Sequence, residues 1–310
     1  MRIEPKIDIP EVEQIPQFMK ILDDLTVGNN VFLVGAAGTG KTTLAEKVAY
    51  SLFGRHENDG KTPPYVTINC NQWTSPIDLK GGQTIEGYVE GGLIEAWRDG
   101  KILILDEMPK LDANTAGILN DALAKSAKDS SIIFNGKNEP VKKHPMFGCI
   151  ATGNTTGKSA SVQYTGNNVQ DSSLLDRFSG SYYHIGFNEE LERQLLYPII
   201  AAICINIRRA ILNYEGLDGD DQDTEDIMTL RTMLNLQRTY ELEMKRELGM
   251  EKKVPNGKTI KDAIESYLFT MSTDKAKQVA AQSNLEGFFN KYRGKAMREE
   301  FMYEYKRMNG

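Results

Sequence analysis

Short apolar runs in the first 190 residues predict the strands of a single sheet. The runs cover residues 31–34, 65–70, 101–105, 148–152 and 182–185. Helical patterns separate most of them, as with Leu44, Val48 and Leu52, which follow the first run at four-residue spacing. Because strands and helices alternate, we predict an α/β fold in which helices cover both faces of a mainly parallel sheet.

The pattern changes to a helical one after residue 187. Pro198 interrupts an apolar helical stretch, and Thr229 is placed to cap a long helix that runs to Leu248. Residues 251–310 carry aromatic residues at helical spacing, which either complete a helical core or dock a partner. We therefore predict two domains, an α/β domain over residues 1–187 and an all-helical domain over residues 188–310.

Composition excludes several classes of protein. The chain has 310 residues and a formal net charge of −6, so no global basic field favours nucleic acid. Its three cysteines are odd in number and far apart, which argues against a disulfide framework. No apolar run is long enough for a membrane span, and the first residues lack a signal-peptide pattern. We expect a cytoplasmic protein.

The segment from Gly35 to Thr42 matches the phosphate-binding pattern G-x-x-x-x-G-K-[ST] between a predicted strand and a predicted helix. Glycines let backbone N–H groups approach a phosphate, and the helix N-terminus adds partial positive charge. Lys41 can reach the β- and γ-phosphates, and the Thr42 hydroxyl can ligate magnesium. The predicted nucleotide-binding residues are Gly35, Ala36, Ala37, Gly38, Thr39, Gly40, Lys41, Thr42 and Thr43.

Polar residues at the ends of later strands supply the predicted chemistry. Asp106 and Glu107 directly follow an apolar strand, where Asp106 fits a magnesium ligand and Glu107 fits the general base that orients water. Asn154 follows the next strand and can position the water or sense the γ-phosphate. Arg177, between Asp176 and Phe178, suggests a guanidinium presented at a helix end.

Together these motifs resemble the AAA+ ATPases, and most closely the MoxR and CobS-like branch of the dynein-related AAA ATPases. The resemblance covers about residues 5–250 and implies a five-stranded sheet, a helical lid and a homo-oligomeric ring, usually of six subunits. It implies that Asn154 is sensor 1, that Arg177 is an arginine finger acting in trans, and that Arg231 is sensor 2. ATP is favoured over GTP because no N/T-K-x-D guanine motif is present.

The family also implies two hairpin insertions, and the sequence has a candidate for each. Residues 81–92 hold five glycines around Ile85 and Tyr88, which suits either an apolar tip facing a pore or an ordinary loop. Residues 131–147 contain an Asn135-Gly136 turn signal and several lysines, which either touch a nucleic acid or acidic protein or protect strand edges.

Three functions remain open at this point. The resemblance favours an ATPase that remodels a protein partner. A nucleic-acid motor is the alternative that the basic hairpin supports, and an ATP-gated assembly scaffold is the third.

Overall fold

The computed structural model describes residues 17–55, 60–125, 131–154, 170–217, 226–291 and 295–309. The chain forms two compact units, Met1–Ile185 and Gly186–Gly310, here called the N-terminal and C-terminal units. No helix among the described residues is both long enough and apolar enough to cross a membrane.

A five-stranded parallel sheet forms the centre of the N-terminal unit. Its strands are β1 (Val31–Val34), β2 (Tyr65–Asn69), β5 (Ile102–Asp106), β8 (Gly148–Gly153) and β9 (Tyr182–His184). They lie in the order β2-β5-β8-β1-β9, and all four pairings are parallel. This confirms the predicted fold class. The central strands are apolar because both of their faces are covered, as expected for a parallel sheet.

Helices separate the strands of this sheet. They are α1 (Phe18–Val27), α2 (Lys41–Leu52), α3 (Pro76–Lys80), α4 (Gly92–Asp99), α5 (Ala113–Leu123) and α6 (Ser172–Asp176). One apolar cluster packs α1 and α2 against the sheet, with Phe18 and Val48 fully buried. A second cluster, around Trp97 and Leu119, packs α4 and α5 against the sheet. These two layers hold the carboxyl ends of the strands together at one edge, where ligands bind in such folds.

Two antiparallel hairpins interrupt the alternation, as predicted. The first hairpin pairs β3 (Gly82–Thr84) with β4 (Gly87–Val89), and Ile85 at its tip is fully exposed. The second pairs β6 (Ile132–Phe134) with β7 (Pro140–Lys142). The two hairpins touch, since Lys137 Nζ lies 4.4 Å from the centre of the Tyr88 ring, and the Gly136 amide donates to the carbonyl of Lys80 at the end of α3 at 2.9 Å.

The turn of the second hairpin differs from the Asn-Gly turn that the sequence predicted. Phe134 pairs with Pro140, so the loop has five residues rather than two. Its left-handed residue is Asn138, with φ +62°. Gly136 is needed for another reason, because a Cβ there would lie 2.0 Å from the Gly81 carbonyl oxygen. Contact with the first hairpin overrides the local turn preference.

The C-terminal unit is all-helical among its described residues. Its helices are α7 (Glu189–Leu195), α8 (Pro198–Glu215), α9 (Leu230–Glu247), α10 (Ile260–Leu268), α11 (Thr273–Gln282), α12 (Leu285–Lys291) and α13 (Lys295–Asn309). Pro198 begins α8 after the predicted interruption, where a missing N–H costs nothing. Thr229 caps α9 by accepting a hydrogen bond from the Thr232 amide at 3.2 Å, as its position predicted.

A buried ion pair joins three segments of this unit. Arg208 on α8 and Glu192 on α7 are 3% and 2% exposed, and their two hydrogen bonds measure 2.9 and 2.6 Å. Arg208 also donates to the Met228 carbonyl at 2.9 Å, and its guanidinium lies 4.0 Å from the centre of the Phe187 ring. The neighbouring pair of Arg209 with Glu189 is solvent-exposed.

We expect Glu192→Leu to destabilise the C-terminal unit by about 3–5 kcal/mol, because Arg208 would remain charged and buried without its carboxylate. Glu189→Leu removes the exposed neighbouring pair and should cost about 1 kcal/mol or less. Differential scanning calorimetry of the whole chain measures both variants. Similar losses of stability in the two variants would show that the buried ion pair stabilises the unit no more than the exposed one.

Candidate nucleotide-binding site

The loop between β1 and α2 takes a conformation that requires its glycines. A Cβ on Gly35 would lie 2.1 Å from the Ile185 carbonyl oxygen, so no side chain fits there. Gly38 and Gly40 have φ angles of +75° and +85°, in the region that favours glycine. Helix α2 begins immediately afterwards at Lys41, so its N-terminus and free amide groups face the loop and favour an anion.

Lys41 is 7% exposed and lies inside this loop. Its Nζ donates to the carbonyls of Gly35 and Ala36, both at 2.8 Å, and to Asn154 Oδ1 at 3.1 Å. These three bonds match the three donors of an ammonium group. Burial lowers the pKa of Lys41 to about 8, although the carboxylates of Asp106 and Glu107 oppose the shift. The side chain therefore remains mostly protonated at neutral pH.

Asp106 connects the phosphate loop to two strands. Its Oδ1 accepts hydrogen bonds from Thr42 Oγ1 at 2.7 Å and from Thr152 Oγ1 at 2.6 Å. The same Thr152 hydroxyl accepts a hydrogen bond from the Glu107 amide at 3.0 Å. The fully buried Thr152 thus fixes both acidic residues at the end of β5. Thr42, Asp106, Glu107 and Asn154 converge on the edge where Lys41 lies.

Glu107 has a left-handed backbone with φ +57°, which is costly for a residue with a side chain and is typical of functional sites. The carboxylate is partly exposed and forms an ion pair with Lys110, on the short 3-10 turn Met108–Lys110.

Arg177 lies near the amino end of β1, whereas the phosphate loop lies at its carboxyl end. Its carbonyl accepts a hydrogen bond from Asn30 Nδ2 at 3.1 Å, and Asn30 directly precedes β1, whereas the phosphate loop follows that strand. A four-residue strand spans about 13 Å, which exceeds the length of an arginine side chain. Arg177 therefore cannot reach the phosphate loop of its own chain in this arrangement.

The remaining predicted residues fall at the surface. Ala37 and Thr43 are exposed in the loop and in the first turn of α2, and Thr39 Oγ1 donates to the Ala36 carbonyl at 3.0 Å. Arg231 belongs to the C-terminal unit, where its side chain is exposed in the first turn of α9.

Sequence reasoning did not identify Thr152 as a functional residue. The available signal was its polarity: Thr152 stands inside an otherwise apolar strand, Gly148–Gly153, that is buried on both faces. A buried hydroxyl needs a hydrogen-bond partner, and the carboxylate that ends the neighbouring strand β5 is one. The pairing of β5 with β8 was predictable, but the register that brings Thr152 to Asp106 was not.

The oxygen atoms at this edge fit a magnesium ion. Thr42 and Asp106 offer a hydroxyl and a carboxylate whose oxygens are 2.7 Å apart, and Mg²⁺ prefers hard oxygen ligands. Two protein ligands suit an ion that keeps several waters and also binds phosphate oxygens. The described residues contain no group of three or more His, Cys, Asp or Glu side chains that would hold a metal by themselves.

Comparison with known families agrees with this geometry. Residues 30–178 match the profile of the AAA domain, dynein-related subfamily, and this range contains the phosphate loop, Asp106, Glu107, Asn154 and Arg177. Residues 30–178 thus resemble the AAA domain of the dynein-related subfamily. The predicted resemblance to the AAA+ ATPases is therefore confirmed.

Two relatives match this chain at low sequence identity. The gas vesicle ATPase GvpN of Haloferax mediterranei is 27% identical over 73% of this chain and 62% of its own length. An uncharacterized protein of Staphylococcus saprophyticus is 29% identical over 50% of this chain and 55% of its own length. This chain therefore spans less than two thirds of the length of either relative. Among solved structures, NtrX from Brucella abortus in complex with ATP aligns with 95% of this chain and 65% of its own, at 17% identity and a TM-score of 0.49.

We expect Thr152→Val to destabilise the N-terminal unit by about 1–3 kcal/mol, because the half-buried Glu107 amide and the Asp106 carboxylate would lose their hydrogen bonds to the Thr152 hydroxyl. The matched control is Thr67→Val on β2, whose buried Oγ1 has no hydrogen-bond partner among the described residues and which should be nearly neutral. Urea unfolding followed by tryptophan fluorescence reports on this unit, since Trp73 and Trp97 both belong to it. Equal effects of the two substitutions would contradict the assigned role of Thr152.

Proposed function

We propose that this protein hydrolyses Mg-ATP within a homo-oligomeric ring and uses the cycle to remodel a protein partner. The observation that carries the proposal is the convergence of Lys41, Thr42, Asp106, Glu107 and Asn154 on one edge of the sheet. The name of the Haloferax relative, a gas vesicle ATPase, supports the activity.

Each of these side chains has a role in this proposal. Loop amides and the Lys41 ammonium bind the phosphates, and Thr42 and Asp106 hold Mg²⁺, which neutralises phosphate charge when bound. Glu107 orients the attacking water and accepts its proton as the water oxygen bonds to the γ-phosphorus. The bond from that phosphorus to the β,γ-bridging oxygen breaks, and this oxygen leaves with ADP. Asn154 lies 3.1 Å from Lys41 Nζ, which supports its role as the side chain that senses the γ-phosphate. The role of Arg231 as sensor 2 remains a prediction from the family resemblance.

The location of Arg177 supports assembly into a ring. It lies at the sheet edge opposite its own phosphate loop, so an arginine finger at this position has to act on the site of a neighbouring subunit. Hydrolysis then requires assembly, because each site is completed by another copy. A hexamer is the stoichiometry that the family resemblance favours.

The second hairpin favours a protein partner over nucleic acid. Two of its predicted basic groups are engaged within the unit: Lys143 Nζ donates to the Lys125 carbonyl at 2.9 Å, and Lys137 Nζ lies 4.4 Å from the centre of the Tyr88 ring. The outward face of the hairpin instead presents Ile132 and Phe134, which are 46% and 49% exposed. Together with Ile85 at the tip of the first hairpin, this apolar surface supports contact with protein segments rather than with phosphates.

Hydrolysis is tested with Glu107→Gln. We expect ATP binding to be retained and turnover to fall by about 10²–10⁴-fold, because the amide cannot accept the proton. Glu251→Gln, the same change at an exposed position of the C-terminal unit, is the control and should leave turnover unchanged. An unaltered rate in Glu107→Gln would refute the assignment of the general base.

Action in trans is tested by mixing two inactive variants. Arg177→Ala should retain ATP binding and lose about 10³-fold or more in turnover, and Lys41→Ala should lose nucleotide binding. In mixed assemblies, the intact loop of the first variant meets the intact Arg177 of the second, so activity should be partly restored. If no mixing ratio restores hydrolysis, Arg177 does not complete a neighbour's site.

A further inference from the structure

A chain of hydrogen bonds leads from the start of α6 to the Arg177 guanidinium. Asp171 Oδ2 accepts from Ser173 Oγ at 2.9 Å, Ser173 Oγ accepts from Asn120 Nδ2 at 2.6 Å, and Asn120 Oδ1 accepts from Arg177 Nε at 3.0 Å. Asn120 is on α5 and the other three residues are on or beside α6. The chain therefore ties the side chain of Arg177 to a second helix.

The chemistry at both ends allows only one direction for this chain. An ionised aspartate only accepts hydrogen bonds and a guanidinium only donates them. Bonds from the Ser173 amide and hydroxyl lower the pKa of Asp171, which keeps this carboxylate an acceptor. Ser173 must therefore donate to Asp171 and accept from the Asn120 amide nitrogen. The Asn120 amide is consequently oriented with its oxygen toward Arg177.

This orientation determines which atoms of Arg177 are left for a ligand. Nε is used by Asn120, and neither Nη1 nor Nη2 has a partner among the residues that the structure describes. The guanidinium is planar, and its Nη1/Nη2 edge is separate from the Nε–H that Asn120 accepts, so two parallel N–H donors remain in the fork geometry that suits phosphate oxygens. Asn30 holds the Arg177 carbonyl at 3.1 Å, so both the backbone and the side chain of Arg177 are fixed.

We infer that Asn120 is the positioning residue of Arg177, which it holds with both Nη groups directed toward the ATP phosphates bound by a neighbouring subunit. This inference rests on the proposed function, in which Arg177 acts in trans. Asn120 contacts no reacting group and acts only through Arg177. Ser173 and Asp171 support it by fixing the orientation of its amide.

Asn120 can be removed without opening a cavity in the core. The buried side chains of α5 are those of Thr115, Ala116, Leu119, Ala122 and Leu123. Asn120 is half-buried, and its side chain forms hydrogen bonds with Ser173 and Arg177. Truncation at this position therefore removes the polar contacts and leaves the apolar packing of α5 in place.

The test measures steady-state ATP hydrolysis by Asn120→Ala in the full-length protein. We expect kcat to fall by about 10- to 100-fold, because a misplaced catalytic group costs this much, whereas KM changes little. Asn114→Ala, at an exposed position of the same helix, is the matched control and should behave as wild type. In the Arg177→Ala background, Asn120→Ala should cause no further loss.

Mixing experiments locate the defect. Asn120→Ala combined with Lys41→Ala should regain activity, since its own phosphate loop is intact and its partner supplies a correctly held Arg177. Ser173→Ala leaves Asn120 in place but removes its orienting contact, so it should show a smaller loss that also vanishes in the Arg177→Ala background. This second variant replaces Asn120→Ala as the test if the latter does not fold.

The outcomes separate this inference from the proposed function. Three results would overturn the positioning role alone. The first is a wild-type kcat in Asn120→Ala, and the second is an additive loss when this substitution is combined with Arg177→Ala. The third is that mixing with Lys41→Ala restores the activity of Arg177→Ala but not that of Asn120→Ala. Absence of rescue of Arg177→Ala itself would overturn action in trans, and the role of Asn120 with it. Rescue of both variants, with no further loss in the double variant, establishes the inference.

Discussion

The carboxylate of Asp106 is the contact on which the geometry of the site depends. Its Oδ1 atom accepts hydrogen bonds from the hydroxyl groups of Thr42, at the start of α2, and of Thr152, in β8. Because Asp106 ends β5, this atom joins two adjacent strands and the first turn of the helix that follows the phosphate loop. A charged acceptor strengthens both bonds.

Different groups of residues lie at the two ends of the strands of the parallel sheet. Its carboxyl edge collects the phosphate loop, Asp106 and Asn154, whereas the start of β1 lies beside Asn30, which holds the carbonyl of Arg177. Since strand length separates these edges, the residues that bind phosphate and the predicted finger cannot meet within one N-terminal unit. In the proposed mechanism, the need for a neighbouring copy follows from strand direction and from the position of α6 in the chain.

The sequence was sufficient to predict the elements that depend on local pattern. The five strands, the phosphate loop and the cap at Thr229 follow from apolar periodicity and from residues with strong conformational preferences, whereas the two hairpins were expected from the family resemblance. Contacts between distant residues were not predictable in the same way. Thr152 and Asn120 acquire their partners from strand register and helix packing, and Gly136 is required by the other hairpin rather than by its own turn. Each of these depends on residues far away in the sequence.

The same reasoning decides how residues 251–310 should be understood. Phe301 is 1% exposed, and its ring centre lies 5.4 Å from that of Tyr197 and 5.8 Å from that of Tyr240. The Ile260 amide donates to Glu243 Oε2 at 2.7 Å, which links the start of α10 to α9. Helices α10 to α13 therefore complete the core that α8 and α9 begin. The aromatic residues that the sequence assigned either to a core or to a docking surface contribute to this core. Removing these helices would expose large aromatic surface on α8 and α9, so we regard α7 to α13 as a single folding unit rather than as a small domain with an appended extension.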